Sequence, residues 1–207
     1  NDGYSEFYWS HHPDPNWKDN QYIQWLQRKG VTFGREQHPD SRHVTYGPAA
    51  EDHQTTWCAE RAMDFVTRHA QDSNPWCFSV NFFDPHFPFD APRAYMERYE
   101  EAIDDVPLPN YVEGELGGKP SHQRAVFERG QSGKGSYPFA SMTPRDHRLV
   151  RASYWAMCDL IDRQAGRILD TLQQTGQLAN TIVIYMSDHG EMLGDHGLYL
   201  KGEYFYE

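Results

Sequence analysis

An apolar, β-branched run that breaks without transition into a glycine-punctuated polar segment constrains this chain most. Residues 181–186 read Thr-Ile-Val-Ile-Tyr-Met, and residues 187–197 continue Ser-Asp-His-Gly-Glu-Met-Leu-Gly-Asp-His-Gly. A short run of that composition predicts a buried strand. In an open α/β sheet, ligands collect beyond the carboxyl ends of the strands. Asp188 and His189 therefore fall where such a fold places chemistry, and their oxygen and ring nitrogen suit one divalent cation.

A second strand is predicted at Trp76–Phe83, running into Asp84-Pro-His-Phe-Pro-Phe89. Helices are expected over residues 20–29, stopped by Gly30, and over 55–71, capped by Thr55 or Thr56 with Ala59, Ala62, Phe65, Val66 and His69 at helical spacing. The strongest stripe runs from Leu149 through Ala156, Leu160, Ile161 and Ala165 to Leu172, with Gly176 as its break. Helix–strand, helix–strand order predicts an α/β fold, a mostly parallel sheet flanked by helices. Residues 106–141 show little periodicity and read as a long variable loop.

The chain has 207 residues, enough for one sizeable core, and a net charge of -11, which argues against a nucleic-acid partner. No apolar run is long enough to predict a membrane span. Cys58, Cys77 and Cys158 lack paired spacing and read as small buried hydrophobes.

Both strand ends carry histidine. The first supplies Asp84, His86 and Asp90; the second supplies Asp188, His189, Asp195, His196 and then Lys201. If the strands are parallel neighbours, these ends share one rim. The set suits an anionic ester: a metal to polarise an oxygen, Lys201 as a fixed positive charge, and His86 as hydrogen-bond or proton donor. Pro85 and Pro88 bracket and stiffen the His86 loop. Asp84 and Asp90 read as turn formers. Asp195 and His196 read either as partners that orient ligands or as turn residues. The aromatic stretch with Trp9, His11, His12 and Trp17 reads as packing filler, with contact to a sugar or aryl group as the alternative.

Residues 181–207 resemble the C-terminal metal-and-lysine motif of the sulfatases, in the alkaline phosphatase superfamily. Ser187-Asp-His-Gly190 is followed by Gly194-Asp-His-Gly197, Lys201 and Tyr206-Glu207, and Phe82–Phe89 is similar to the family's Pro-His-x-Pro segment. The helix with Asp159 and Asp162 resembles the one preceding the metal strand. The resemblance covers about residues 76–207. It implies that Asp188 and His189 bind the metal, usually calcium, with manganese or zinc as alternatives. It further implies that Lys201 and His86 are the catalytic pair and contact the sulfuryl group, with His196 in the substrate-binding set. The reaction implied is hydrolysis of a small-molecule or saccharide sulfate ester, an oxygen nucleophile attacking sulfur as the alcohol leaves opposite.

The family also carries an N-terminal Cys- or Ser-x-Pro-x-Arg motif whose first residue becomes formylglycine, and an earlier acidic pair for the metal. Neither is in this sequence. Ser141-Met-Thr-Pro-Arg145 is a decoy, its proline one place late. The expectation is therefore a partial catalytic domain over residues 1–207 with an incomplete sheet, the formylglycine lying outside it, and no turnover by this chain alone. A phosphonate monoesterase or phosphodiesterase of the same superfamily and a non-catalytic sulfatase-like protein stay open as alternatives. The compartment is open, with a periplasmic or secreted location slightly favoured over the cytoplasm, and the oligomeric state is not readable.

Overall fold

In this computed structural model, residues 3–12, 16–17, 19–131 and 136–202 are described. The Gly133–Gly135 tip and the Tyr206-Glu207 end of the family motif lie outside them.

The molecule is organised around one long helix. Thr143 opens it with a capping box: its side chain accepts from the Asp146 N–H at 3.1 Å, and the Asp146 carboxylate accepts from the Thr143 N–H at 2.9 Å. Pro144 takes the first helical position, where its missing N–H does no harm. The sequence decoy at 141–145 is thus a helix start. This helix, the last of five among the described residues and labelled α5, runs Pro144–Gln174. Leu149, Val150, Ala152, Ala156, Met157 and Leu160 on its stripe are fully buried.

The other four are α1 (Gln21–Arg28), α2 (Gln54–Arg68), α3 (Arg93–Glu100) and α4 (Ser121–Arg129). Asn20 caps α1 by accepting from the Tyr22 and Ile23 N–H groups. His53, rather than either threonine, caps α2. Both α2 and α3 pack on α5. Tyr22, Ile23 and Leu26 of α1 close a second apolar cluster on Trp57 of α2. Helix α4 lies inside the segment expected to be loop. Its apolar positions are few, so helical periodicity gave no warning of it.

The expected parallel sheet is not formed among the described residues. Their one sheet is an antiparallel pair, β1 (Glu36–Gln37) and β2 (Thr45–Tyr46). Alongside β2, Thr45 donates to the Phe89 carbonyl at 3.1 Å and Gly47 to that of Ala91 at 3.1 Å. The predicted strand at 76–83 keeps its two-residue alternation: Trp76, Phe78, Val80 and Phe82 are half-buried, while Cys77, Ser79 and Asn81 are exposed. Its inner face rests on α2, with Phe78 and Trp76 ring centres 4.6 and 5.7 Å from that of Phe65. The reading of the cysteines is corrected here: Cys77 is exposed, and Cys58 and Cys158 are only partly buried. Residues 182–186 are exposed throughout, Ile182 at 90 %. A strand satisfies its backbone only through other strands, and among the described residues none lies beside either run. No helix among the described residues is long and apolar enough to cross a membrane.

Candidate active site

The His86 loop is fixed at both ends by buried carboxylates. Asp84 accepts a 2.5 Å hydrogen bond from the Thr55 hydroxyl and lies 3.4 Å from His53 Nδ1, both at the start of α2. Asp90 is ion-paired with Arg35. Burial pushes the Asp90 carboxyl above its ordinary value, and the Arg35 guanidinium pulls it back. Asp84 does stand in a turn, closed by the His86 N–H on the Phe83 carbonyl at 3.1 Å, while Asp90 does not; both also serve as anchors, because a carboxylate out of water needs a partner.

Between those anchors, the His86 ring stacks against Phe87 with centres 4.4 Å apart, and Phe83 lies 4.8 Å away. Its Nδ1 is 2.6 Å from the Phe87 carbonyl oxygen, which can only accept, so Nδ1 carries the proton and Nε2 is the basic atom of the neutral ring. Burial holds the imidazole below its ordinary pKa. The Phe87 carbonyl opposes that, while the charges of Lys201 and His189 add to the depression and Asp188 works against it. The two expected strand ends thus lie near enough for the charges of all three residues from the second to reach the histidine of the first.

The second end is compact. Asp188 accepts from the His189 N–H at 3.0 Å, and its other oxygen lies 3.5 Å from His189 Nε2. His189 Nδ1 donates to the Gly190 carbonyl at 2.8 Å, which leaves Nε2 as an acceptor, and Lys201 Nζ donates to it at 2.7 Å. Asp188 is largely exposed, and His189 less so. Asp188 and His189 offer one oxygen and one nitrogen close enough to share a cation. Among the described residues no group of three or more His, Cys, Asp or Glu side chains converges as a cation site. Calcium takes six to eight oxygen ligands, so the pair supplies a minority of such a shell.

His196 is placed differently. Its Nδ1 is 2.9 Å from a Glu115 oxygen, and its N–H donates to the Asn110 carbonyl at 2.8 Å. Asp195 is ion-paired with Arg151 of α5. The sequence reading passed over Glu191. Its half-buried carboxylate accepts from the Leu193 N–H at 3.2 Å. Burial pushes it above its ordinary value. Its only sequence signal is a glutamate inside a glycine-bounded turn. At the other end of the chain, Trp9 and Trp17 pack edge to face at 4.9 Å, and Trp17 stays 44 % exposed.

The sulfatase family model matches residues 1–207. A choline-sulfatase from Rhizobium meliloti is 28 % identical over 156 residues, which cover 74 % of this chain and 29 % of that protein. An arylsulfatase from Clostridium perfringens is 32 % identical over 153 residues, 72 % of this chain and 29 % of that one. Among solved structures, a phosphonate monoester hydrolase from Silicibacter pomeroyi superposes with a TM-score of 0.70 at 25 % identity, covering 88 % of this chain and 38 % of its own. The chain thus spans about three tenths of the length of these two curated relatives. With its whole length matched by the family and its fold shared with an alkaline-phosphatase-like hydrolase, the chain belongs to the sulfatase family.

Proposed function

We propose that this chain carries the oxyanion-facing part of a sulfatase active site that hydrolyses sulfate monoesters. The observation that carries this reading is the cluster of Asp188, His189 and Lys201, with Lys201 Nζ 2.7 Å and an Asp188 oxygen 3.5 Å from His189 Nε2, near enough to His86 for their charges to reach its ring. In this reading Asp188 and His189 hold a divalent cation, calcium or alternatively manganese or zinc, which when bound polarises a sulfuryl oxygen as a Lewis acid. The formylglycine nucleophile and further metal ligands lie outside this chain, and strands beside residues 76–83 and 181–186 complete a parallel sheet.

Lys201 then turns from His189 to the sulfuryl oxygens, supplying positive charge where negative charge builds up. His86 starts neutral. An ester anion beside it favours the imidazolium, so Nε2 gains a proton and presents it to the leaving oxygen. As the sulfur–oxygen bond breaks, that proton passes to the alcohol and the ring returns to its Nδ1–H form.

Hydrolysis of a phosphonate monoester is the second reading, supported by the fold likeness to the Silicibacter pomeroyi enzyme. The test compares rates on an aryl sulfate and an aryl phosphonate monoester, with the full-length protein and its His86→Ala and Lys201→Ala variants. Faster sulfate cleavage, lowered at least ~100-fold by either substitution, supports the first reading. Faster phosphonate cleavage selects the second, and unchanged rates in both variants refute the site.

A further inference from the structure

The loop that delivers Lys201 is held in an unusual backbone state. From Met192 to Leu200 the chain doubles back, with the Met192 N–H on the Leu200 carbonyl at 3.2 Å and the Gly194 N–H on the Leu198 carbonyl at 2.8 Å. Leu193, His196 and Leu200 have φ of 48°, 55° and 66°. Left-handed backbone at a non-glycine residue is strained and persists only where the surroundings over-determine it. Leu200, immediately before Lys201, is one of these three and is buried, as are Leu198 and Tyr199.

Two structures grip this loop. On one side, Arg151 of α5 pairs with Asp195 and donates through Nε to the Leu193 carbonyl at 3.1 Å. On the other side is the segment read from sequence as variable loop. Asn110 donates its N–H to Asp195 at 2.8 Å and accepts from the His196 N–H at 2.8 Å. Glu115 faces His196 Nδ1 at 2.9 Å, and the Gln131 amide donates to the Lys201 carbonyl at 2.7 Å. Gly194 and Gly197, at φ 86° and 73°, lie so close to Pro109 and Phe127 that an added Cβ would come within 2.6 and 2.7 Å of them. No other residue type fits those two places.

We propose that the second Gly-Asp-His-Gly is a positioning clamp: Asp195, gripped by Arg151 and Asn110, fixes the strained hairpin that aims Lys201 at His189. Its bearing on ester hydrolysis rests on the function proposed above; the positioning itself does not. It also makes residues 106–131 a buttress of the catalytic lysine, so changes in that segment reach the site through Lys201.

The test reads the Lys201–His189 contact directly in this chain, as a nuclear Overhauser effect between the Lys201 ε-methylene and the His189 ring. The cross-peak is expected in the wild type and in Arg98→Ala, which breaks a surface ion pair elsewhere, and lost in Asp195→Ala. Asp195→Asn, which keeps an acceptor for Asn110 but not the ion pair, serves if Asp195→Ala does not fold, and is expected to weaken the peak several-fold. Binding of inorganic sulfate, followed on the Lys201 resonances in one series and by calorimetry in the Lys201→Ala background, adds a readout that general loosening would not reproduce. Asp195→Ala should weaken sulfate binding by about 5–10-fold with Lys201 present and by less than about twofold without it. A cross-peak that persists in both Asp195 variants, or equal weakening in the two backgrounds, overturns the proposal. Loss of the peak in a protein that cleaves no ester would uphold the clamp while removing the hydrolase reading.

Discussion

The molecule contains two Asp-His pairs seven residues apart, each followed by glycine, and it treats them in opposite ways. Asp188 and His189 sit on an exposed turn, and a Cβ added at Gly190 would meet nothing within 4 Å. Their partners are each other, a neighbouring carbonyl and Lys201. Asp195 and His196 sit on a packed turn and spend their polar atoms on Arg151, Asn110 and Glu115. Identical residue types are thus left open to solvent in one place and made into a brace in the other. Exposure of the aspartate, rather than the presence of carboxylate and imidazole, separates the two pairs.

The largest contrast is expected in cation binding. Alanine at Asp188 or His189 should lower the affinity for Ca2+ or Mn2+, measured calorimetrically on the full-length protein, by more than about 100-fold, beyond the ~10–100-fold typical of groups that only orient a ligand. Asp195→Asn should stay within about threefold. Equal losses at the two pairs would break the distinction.

Stability should reverse the order. Asp195→Ala removes a charged hydrogen-bonding hub that is only partly exposed and should lower unfolding free energy by about 1 kcal/mol in urea. Asp188→Ala, at a side chain that is 87 % exposed, should leave the midpoint unchanged.

The smallest effect concerns pH. His147 of α5 braces the second turn by meeting the buried Tyr199 hydroxyl at 2.7 Å, with the two rings stacked. Burial pushes its imidazole down from 6.5 to about 4. The unfolded chain binds that proton first as pH falls. The stabilisation is therefore complete above about pH 6.5 and declines as pH drops toward about 4. His147→Phe should flatten this part of the stability profile of the second turn, followed by amide exchange at Leu198–Leu200, and leave the first turn untouched.

Much was legible in the residues. The stripe from Leu149 to Leu172 marks the organising helix, because a helix closes its hydrogen bonds within itself and shows its buried face every third or fourth residue. The pairing of Pro-His-x-Pro with Asp-His-Gly and a following lysine put His86, Asp188, His189 and Lys201 in one set; the structure joins Lys201 to His189 and keeps Asp188 beside it, near enough for all three charges to reach His86. Asp84 does stand in a turn, but nothing local shows that Thr55 will bury it or that Arg35 will bury Asp90, since a solvated aspartate looks the same in sequence.

What the sequence by itself determined was local: the presence of α1, α2 and α5, their apolar faces, and which residue types stand at the two expected strand ends. Tertiary structure alone decided the rest. It left the runs at 76–83 and 181–186 without strand partners among the described residues, and it sent one Asp-His pair to solvent and the other to Arg151. Those outcomes depend on groups dozens of residues away, since strand pairing and the neutralising of a charge are settled by whatever the folded chain brings alongside.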